Sequence, residues 1–135
     1  MKQILFLHPA GQAFAFACGL FNLLTGLSRR MFTISIHVNC GAFYYFSTLL
    51  GAGVGIIATN WAEKNSIPID MEVHEIAAMA MLLLLAMGAT TGLVMLKNHE
   101  KRAILLIYHR WINIASVVIF CVQAITGMAQ LVKLL

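Results

Sequence analysis

Four apolar runs, each about as long as a bilayer is thick, leave this chain few ways to fold. A hydrocarbon core of ~30 Å demands about 20 consecutive apolar residues in a helix, and such runs occupy roughly residues 5–27, 32–58, 73–96 and 103–132. The polar links between them are short: Ser28-Arg29-Arg30, then Asn60 to Asp70 with Pro68, then Lys97 to Arg102. Short links force consecutive helices to run antiparallel. The expectation is one all-α membrane domain over residues 1–135, an integral membrane up-down four-helix bundle in a lipid bilayer.

Composition agrees, with 61% of the chain apolar and only 10% charged. The formal charge of +4 would suit nucleic acid if it were clustered, but the basic residues are scattered through the polar links, so no nucleic-acid partner is expected. Cys18, Cys40 and Cys121 all lie inside apolar runs, where a thiol acts as a small hydrophobe. No C-x-x-C-H motif is present, which excludes a covalently attached c-type haem. Lys2 before an apolar stretch resembles a secretory leader. His8 and Gln12 interrupt that stretch, and the segment is read as the first helix of the mature bundle, with Pro9 in its first turn.

Lys and Arg gather on the cytoplasmic side of membrane proteins. One face of the predicted bundle collects Arg29, Arg30, Lys97, Lys101, Arg102 and Arg110, and the other Lys2, Lys64 and Lys133. This places the two short basic links in the cytoplasm, with both termini and the Asn60–Asp70 link outside.

Of five histidines, four fall one per helix, each in the first part of its run: His8, His37, His74 and His109. Because the helices alternate in direction, His8 and His74 share one end of the bundle while His37 and His109 share the other. Chance would give this pattern about one time in sixteen, and ionisable residues inside a membrane are functional by default. The first and third helices, and the second and fourth, face each other diagonally and leave room for a flat macrocycle between two imidazoles. Ligands near opposite faces of the slab would set two irons roughly 15–20 Å apart. A haem-free scaffold or small transporter, with histidines that bond helices or relay protons, is the other reading of these residues.

Small residues one turn from the proposed ligands, Gly11, Gly41, Ala77 and Ala78, would let a macrocycle approach the backbone. Gly51, Gly53 and Gly127 would flank the outer centre, and Gly26, Gly88 and Gly92 the cytoplasmic one. Asn22, Thr91, Asn113, Ser116 and Thr126 are candidates to orient imidazole N–H groups, and Arg110, Arg29 and Arg30 to meet the acidic arms of a haem. Ordinary helix packing and snorkelling explain these residues about equally well. His99, in a charged link, is read as solvated.

Leu7-His8-Pro9 at the head of one helix, His37 early in the next, Val73-His74-Glu75, and His109-Arg110-Trp111-Ile112-Asn113 running into Gln123 and Gly127 together resemble the cytochrome b561 superfamily. The resemblance covers nearly the whole chain. It implies two haem b groups, one between His8 and His74 and one between His37 and His109, and electron transfer across the bilayer. The flanking helices of the transmembrane ascorbate reductases are missing. The compact form is similar to the bacterial branch and to membrane cytochrome subunits of respiratory enzymes. That similarity implies an inner-membrane location, a quinol or quinone partner, and a periplasmic cytochrome or iron–sulfur protein as acceptor, and is compatible with service as a subunit of a larger complex. No helix carries the two spaced histidines of the cytochrome b in quinol–cytochrome c reductases, and there is no repeated Glu-x-x-His of a di-iron bundle.

Overall fold

The computed structural model describes residues 4–28, 31–67, 72–98, 100 and 102–133. They form four α-helices: α1 Ile4–Leu27, α2 Ile34–Lys64, α3 Glu72–Lys97 and α4 Arg102–Lys133. All four are long and apolar enough to cross a membrane. The runs read from the sequence match these bounds within a residue or two, except at the C-terminal end of α2. That helix begins two residues later, where the Thr33 side chain caps it by accepting from the Ile36 N–H, and it continues six residues further, through Asn60, Trp61 and Lys64. Hydropathy marks only the hydrocarbon slab, whereas a helix continues until its backbone is capped. Here Asn65 and the positive φ of Ser66 end it. Pro9 lies in the second turn of α1, not the first, because α1 starts at Ile4. Membrane helices tolerate such a proline where neighbours and side chains satisfy the freed carbonyl.

The helices pack as two antiparallel hairpins. α1 lies along α2 and α3 along α4; between the hairpins α1 touches α4, while α2 and α3 scarcely meet. The diagonal pairs are therefore α1 with α3 and α2 with α4, as expected. The hairpins meet at mid-height through Ala15, Tyr44, Met81, Leu85 and Phe120. Phe120 stacks on Tyr44 with centroids 6.4 Å apart and packs on Phe16 at 5.2 Å. Tyr44 Oη and Ser116 Oγ lie 3.2 Å apart, a hydrogen bond across the diagonal. Gly19 makes room for that tyrosine, since a Cβ there would stand 2.7 Å from its ring.

Polarity runs opposite to that of a water-soluble domain. Gln12, Asn22, Thr25, Thr48, His74, Ser116 and Gln123 are buried, while Phe14, Phe43, Phe46, Ile56, Leu83 and Ile125 are more than half exposed. In water such an exterior would drive association; in lipid it is the compatible surface, and polar groups go inside. The chain is built as an integral membrane protein.

Candidate paired-histidine centres

The buried seam repeats without a slip on all four helices. Counting from each histidine, inward positions fall at 4, 7, 11, 14 and 18 residues onward: Gln12, Ala15, Gly19, Asn22 and Gly26 on α1, and the same steps from His37, His74 and His109. This is the 4-3-4-3 spacing of a bundle seam. Its last step is always glycine: Gly26, Gly55, Gly92 and Gly127. Eighteen residues are five turns of helix, so each helix carries a histidine near one end and a glycine on the same face near the other. Between antiparallel partners, histidine meets glycine.

The structure shows that meeting four times. A Cβ added at Gly55 would stand 2.7 Å from Cε1 of His8, at Gly26 2.9 Å from His37, at Gly127 2.9 Å from His74, and at Gly92 3.2 Å from His109. Only a bare backbone lets the imidazoles lie so close. The carbonyl four residues before each glycine accepts from the imidazole Nδ1–H. His8 donates to Gly51 O at 2.8 Å, His37 to Asn22 O at 3.2 Å, His74 to Gln123 O at 3.1 Å and His109 to Gly88 O at 2.9 Å. A threonine just before the glycine adds a hydroxyl within 3.1–3.2 Å of Nδ1 in three cases: Thr25 to His37, Thr126 to His74 and Thr91 to His109. Val54 holds that place beside His8. A carbonyl can only accept, so Nδ1 carries the proton and Nε2 is the unprotonated nitrogen of the neutral ring, the tautomer in which imidazole binds a metal through Nε2.

Each hairpin thus fixes its own two histidines, and the two hairpins present them to each other. The rings of His8 and His74 have centroids 6.0 Å apart with planes at 81°; those of His37 and His109 are 6.0 Å apart at 85°. With a metal–imidazole bond of about 2 Å and a ring centroid about 1.1 Å behind the nitrogen, two imidazoles on opposite sides of one metal atom have centroids about 6 Å apart. The observed separations fit that arrangement at both ends. Among the described residues no group of three or more His, Cys, Asp or Glu gathers to hold a metal. Two ligands are too few to enclose a bare zinc ion, which takes four; they suffice where a macrocycle supplies the equatorial nitrogens. Around His8 and His74 the slit between the hairpins opens into a cavity of about 820 Å³, lined by residues of all four helices and mostly apolar, within the range of small-molecule sites.

Gly26 marks on α1 the level of the second pair. At a rise of 1.5 Å per residue the eighteen residues from His8 to Gly26 set the levels of the two imidazole pairs about 27 Å apart along the helix.

The remaining site residues divide. Ala78 lines the cavity. Gly41 instead seats the Asn22 amide, 3.4 Å from where its Cβ would be, and Gly11 and Gly53 face open space; three residues after a histidine is off the seam, four is on it. Thr91 and Thr126 contact imidazoles as expected. Asn113 does not: its Nδ2 donates to the carbonyl of His109, one turn back in its own helix. Asn22 serves His37 with its backbone, and Ser116 bonds Tyr44 rather than an imidazole. Arg110 is exposed beside His109; Arg29, Arg30 and His99 lie outside the described residues. Thr25 and Gly55 were missed, although the dipeptide Thr-Gly at 25–26, 91–92 and 126–127, with Val-Gly at 54–55, is plain in the sequence.

No family model matches the chain, and no curated protein or solved structure is significantly similar to it. The geometry is therefore the ground for assigning a function.

Proposed function

We propose that this chain is a di-haem b-type membrane cytochrome that carries electrons from one face of the bilayer to the other. The observation that supports this most is the matched pair of imidazole pairs, each 6.0 Å between centroids and close to perpendicular, one toward each end of a membrane-spanning bundle. In this reading Nε2 of His8 and His74 would hold one haem iron, and Nε2 of His37 and His109 the other. The carbonyls behind Nδ1, with a threonine hydroxyl beside three of them, hold each ring in its ligating tautomer and orientation. When bound, haem b supplies the one-electron chemistry. The packed layer of Tyr44, Phe120, Met81 and Leu85 separates the centres and keeps water out of the path between them.

The resemblance to the cytochrome b561 superfamily supports the same reading. It adds a quinol or quinone as membrane partner, a periplasmic cytochrome or iron–sulfur protein on the other side, a bacterial inner membrane, termini on the periplasmic face, and service as a subunit of a larger oxidoreductase. A haem-free scaffold accounts for four interhelical imidazole–carbonyl bonds, but it has no need for two imidazole pairs at the same 6.0 Å centroid separation, one toward each end.

The test is a reduced-minus-oxidised absorbance spectrum of detergent-purified protein, with haem quantified as the pyridine haemochrome. Two haems b per chain are expected in the wild type, and about one in each of His74→Ala and His109→Ala. A well-folded wild type that binds none when produced with ample haem, and none on addition of haemin, would rule the reading out.

A further inference from the structure

The seam that carries the histidines also carries four amides, in two matched positions. Gln12 stands four residues after His8 and Asn113 four after His109; Asn22 stands fourteen after His8 and Gln123 fourteen after His109. Three of them lie against a glycine of the partner helix. A Cβ at Gly51 would be 2.7 Å from Nε2 of Gln12, at Gly41 3.4 Å from Oδ1 of Asn22, and at Gly88 3.3 Å from Nδ2 of Asn113. Ala78 holds the corresponding small position on α3, in register with Gly41 on α2. Three of the four amides are thus seated against a residue with no side chain.

A seated amide should have partners, because a buried polar group without one is costly and rare. Asn113 has one in its own helix. Gln12 is 8% exposed and Gln123 4%, yet neither Nε2 nor Oε1 of Gln12 is hydrogen-bonded, nor is Oε1 of Gln123. Both side chains line the cavity that holds His8 and His74, one from each hairpin. The buried seryl and threonyl hydroxyls of the seam, by contrast, are bonded: Thr25 and Thr48 to carbonyls of their own helices, Ser116 to Tyr44. Of the five buried side-chain atoms left without a hydrogen bond among the described residues, three belong to these glutamines and collect where a ligand would sit; the other two are Asn22 Oδ1 and Tyr45 Oη. An amide's two ends exchange by a half-turn about its last bond, so each glutamine can present N–H to that space.

We propose that Gln12 and Gln123 are hydrogen-bond donors to the molecule held between His8 and His74, and that they make this centre chemically unlike the one between His37 and His109, whose equivalent positions hold the shorter Asn113 and Asn22. The inference rests on the haem reading above and assigns the two glutamines as residues that position and tune the bound group. Donors near a group that gains an electron favour its reduced form, so their loss lowers the reduction potential at that centre.

The experiment is a spectroelectrochemical titration of haem-loaded, detergent-purified wild type, Gln12→Leu, Gln123→Leu and the double variant, with Asn22→Leu as the matched change at the other end. His74→Ala and His109→Ala assign each potential to its centre. Leucine keeps the volume and suits a membrane interior, so haem content and helicity should be retained. The account expects the His8–His74 centre of the double variant to move by about tenfold in its reduction equilibrium, about 59 mV downward for one electron. The other centre should stay fixed, and Asn22→Leu should leave the His8–His74 centre unmoved. Potentials that do not move, that rise, or that shift together at both centres overturn the proposal. If the singles or the double fail to hold haem, resonance Raman of Gln12→Asn and Gln123→Asn decides: unchanged ring and substituent modes overturn it, and altered modes at that centre alone support it. Failure of the haem reading itself would look different, as absence of haem from the wild type.

Discussion

The two ends of this bundle are built to one geometry and furnished with different chemistry. At each end the imidazole centroids stand 6.0 Å apart, the planes are near perpendicular, each Nδ1–H meets a carbonyl of the hairpin partner, and each ring lies on a glycine. What varies is polar detail. Both imidazoles of the His37–His109 end have a threonine hydroxyl behind Nδ1; at the other end only His74 does, and His8 relies on Gly51 O at 2.8 Å. Geometric requirements and adjustments separate on that count. Those present four times out of four place the rings; those present three times, or in two lengths, adjust what is placed.

Breaking a four-of-four feature should have the largest effect. Gly127→Val puts a branched side chain where even a Cβ would stand 2.9 Å from Cε1 of His74. The expected outcome is loss of most of one haem per chain by pyridine haemochrome, with the His37–His109 signal intact. Gly26→Val should do the reverse, at the opposite end, through His37. Loss of both haems in either variant would mean that the two ends are not independent.

A central contact should weaken the whole bundle moderately and equally at both ends. Tyr44→Phe removes the hydroxyl that meets Ser116 between the hairpins and leaves a buried Ser116 without that partner, a cost of about 1–3 kcal/mol. It should lower the thermal midpoint in detergent without changing haem stoichiometry. Smaller still are the three-of-four features. Thr91→Val removes one hydroxyl from behind His109 while its carbonyl bond to Gly88 remains. The expected cost is about 0.5–1.5 kcal/mol, read as faster haem loss from that centre alone. Val54→Thr is the complementary gain. It would give His8 the hydroxyl that the other three have, and should slow haem release from the His8–His74 centre by no more than severalfold.

The fold was legible because hydropathy and histidine placement are both long-range patterns that survive without knowledge of contacts. Four apolar runs gave four helices, and the position of one histidine near the head of each gave the pairing. The misses are local. Proximity in sequence proposed Gly11 as a neighbour of the site, but three residues from His8 turns it off the seam, where it meets nothing. Asn113 looked like a partner for an imidazole and instead satisfies its own helix. The cradles were the larger omission. Thr25-Gly26 and His37 are eleven residues apart but Gly127 and His74 are fifty-three, so no fixed distance between ligand and cradle reveals them. The fixed distance is within a helix, eighteen residues from each histidine to a glycine that serves the neighbour's histidine. It becomes meaningful only once the helices are known to be antiparallel and in register.

Low-temperature electron paramagnetic resonance of the oxidised, purified protein asks whether each near-perpendicular pair of imidazoles holds a haem iron. Six-coordinate ferric iron between perpendicular imidazoles is low-spin and highly anisotropic. The account predicts two such signals, the one from the His8–His74 centre lost in His74→Ala and the one from the His37–His109 centre lost in His109→Ala. A single signal that both substitutions abolish, or ferric haem that is wholly high-spin, would contradict it.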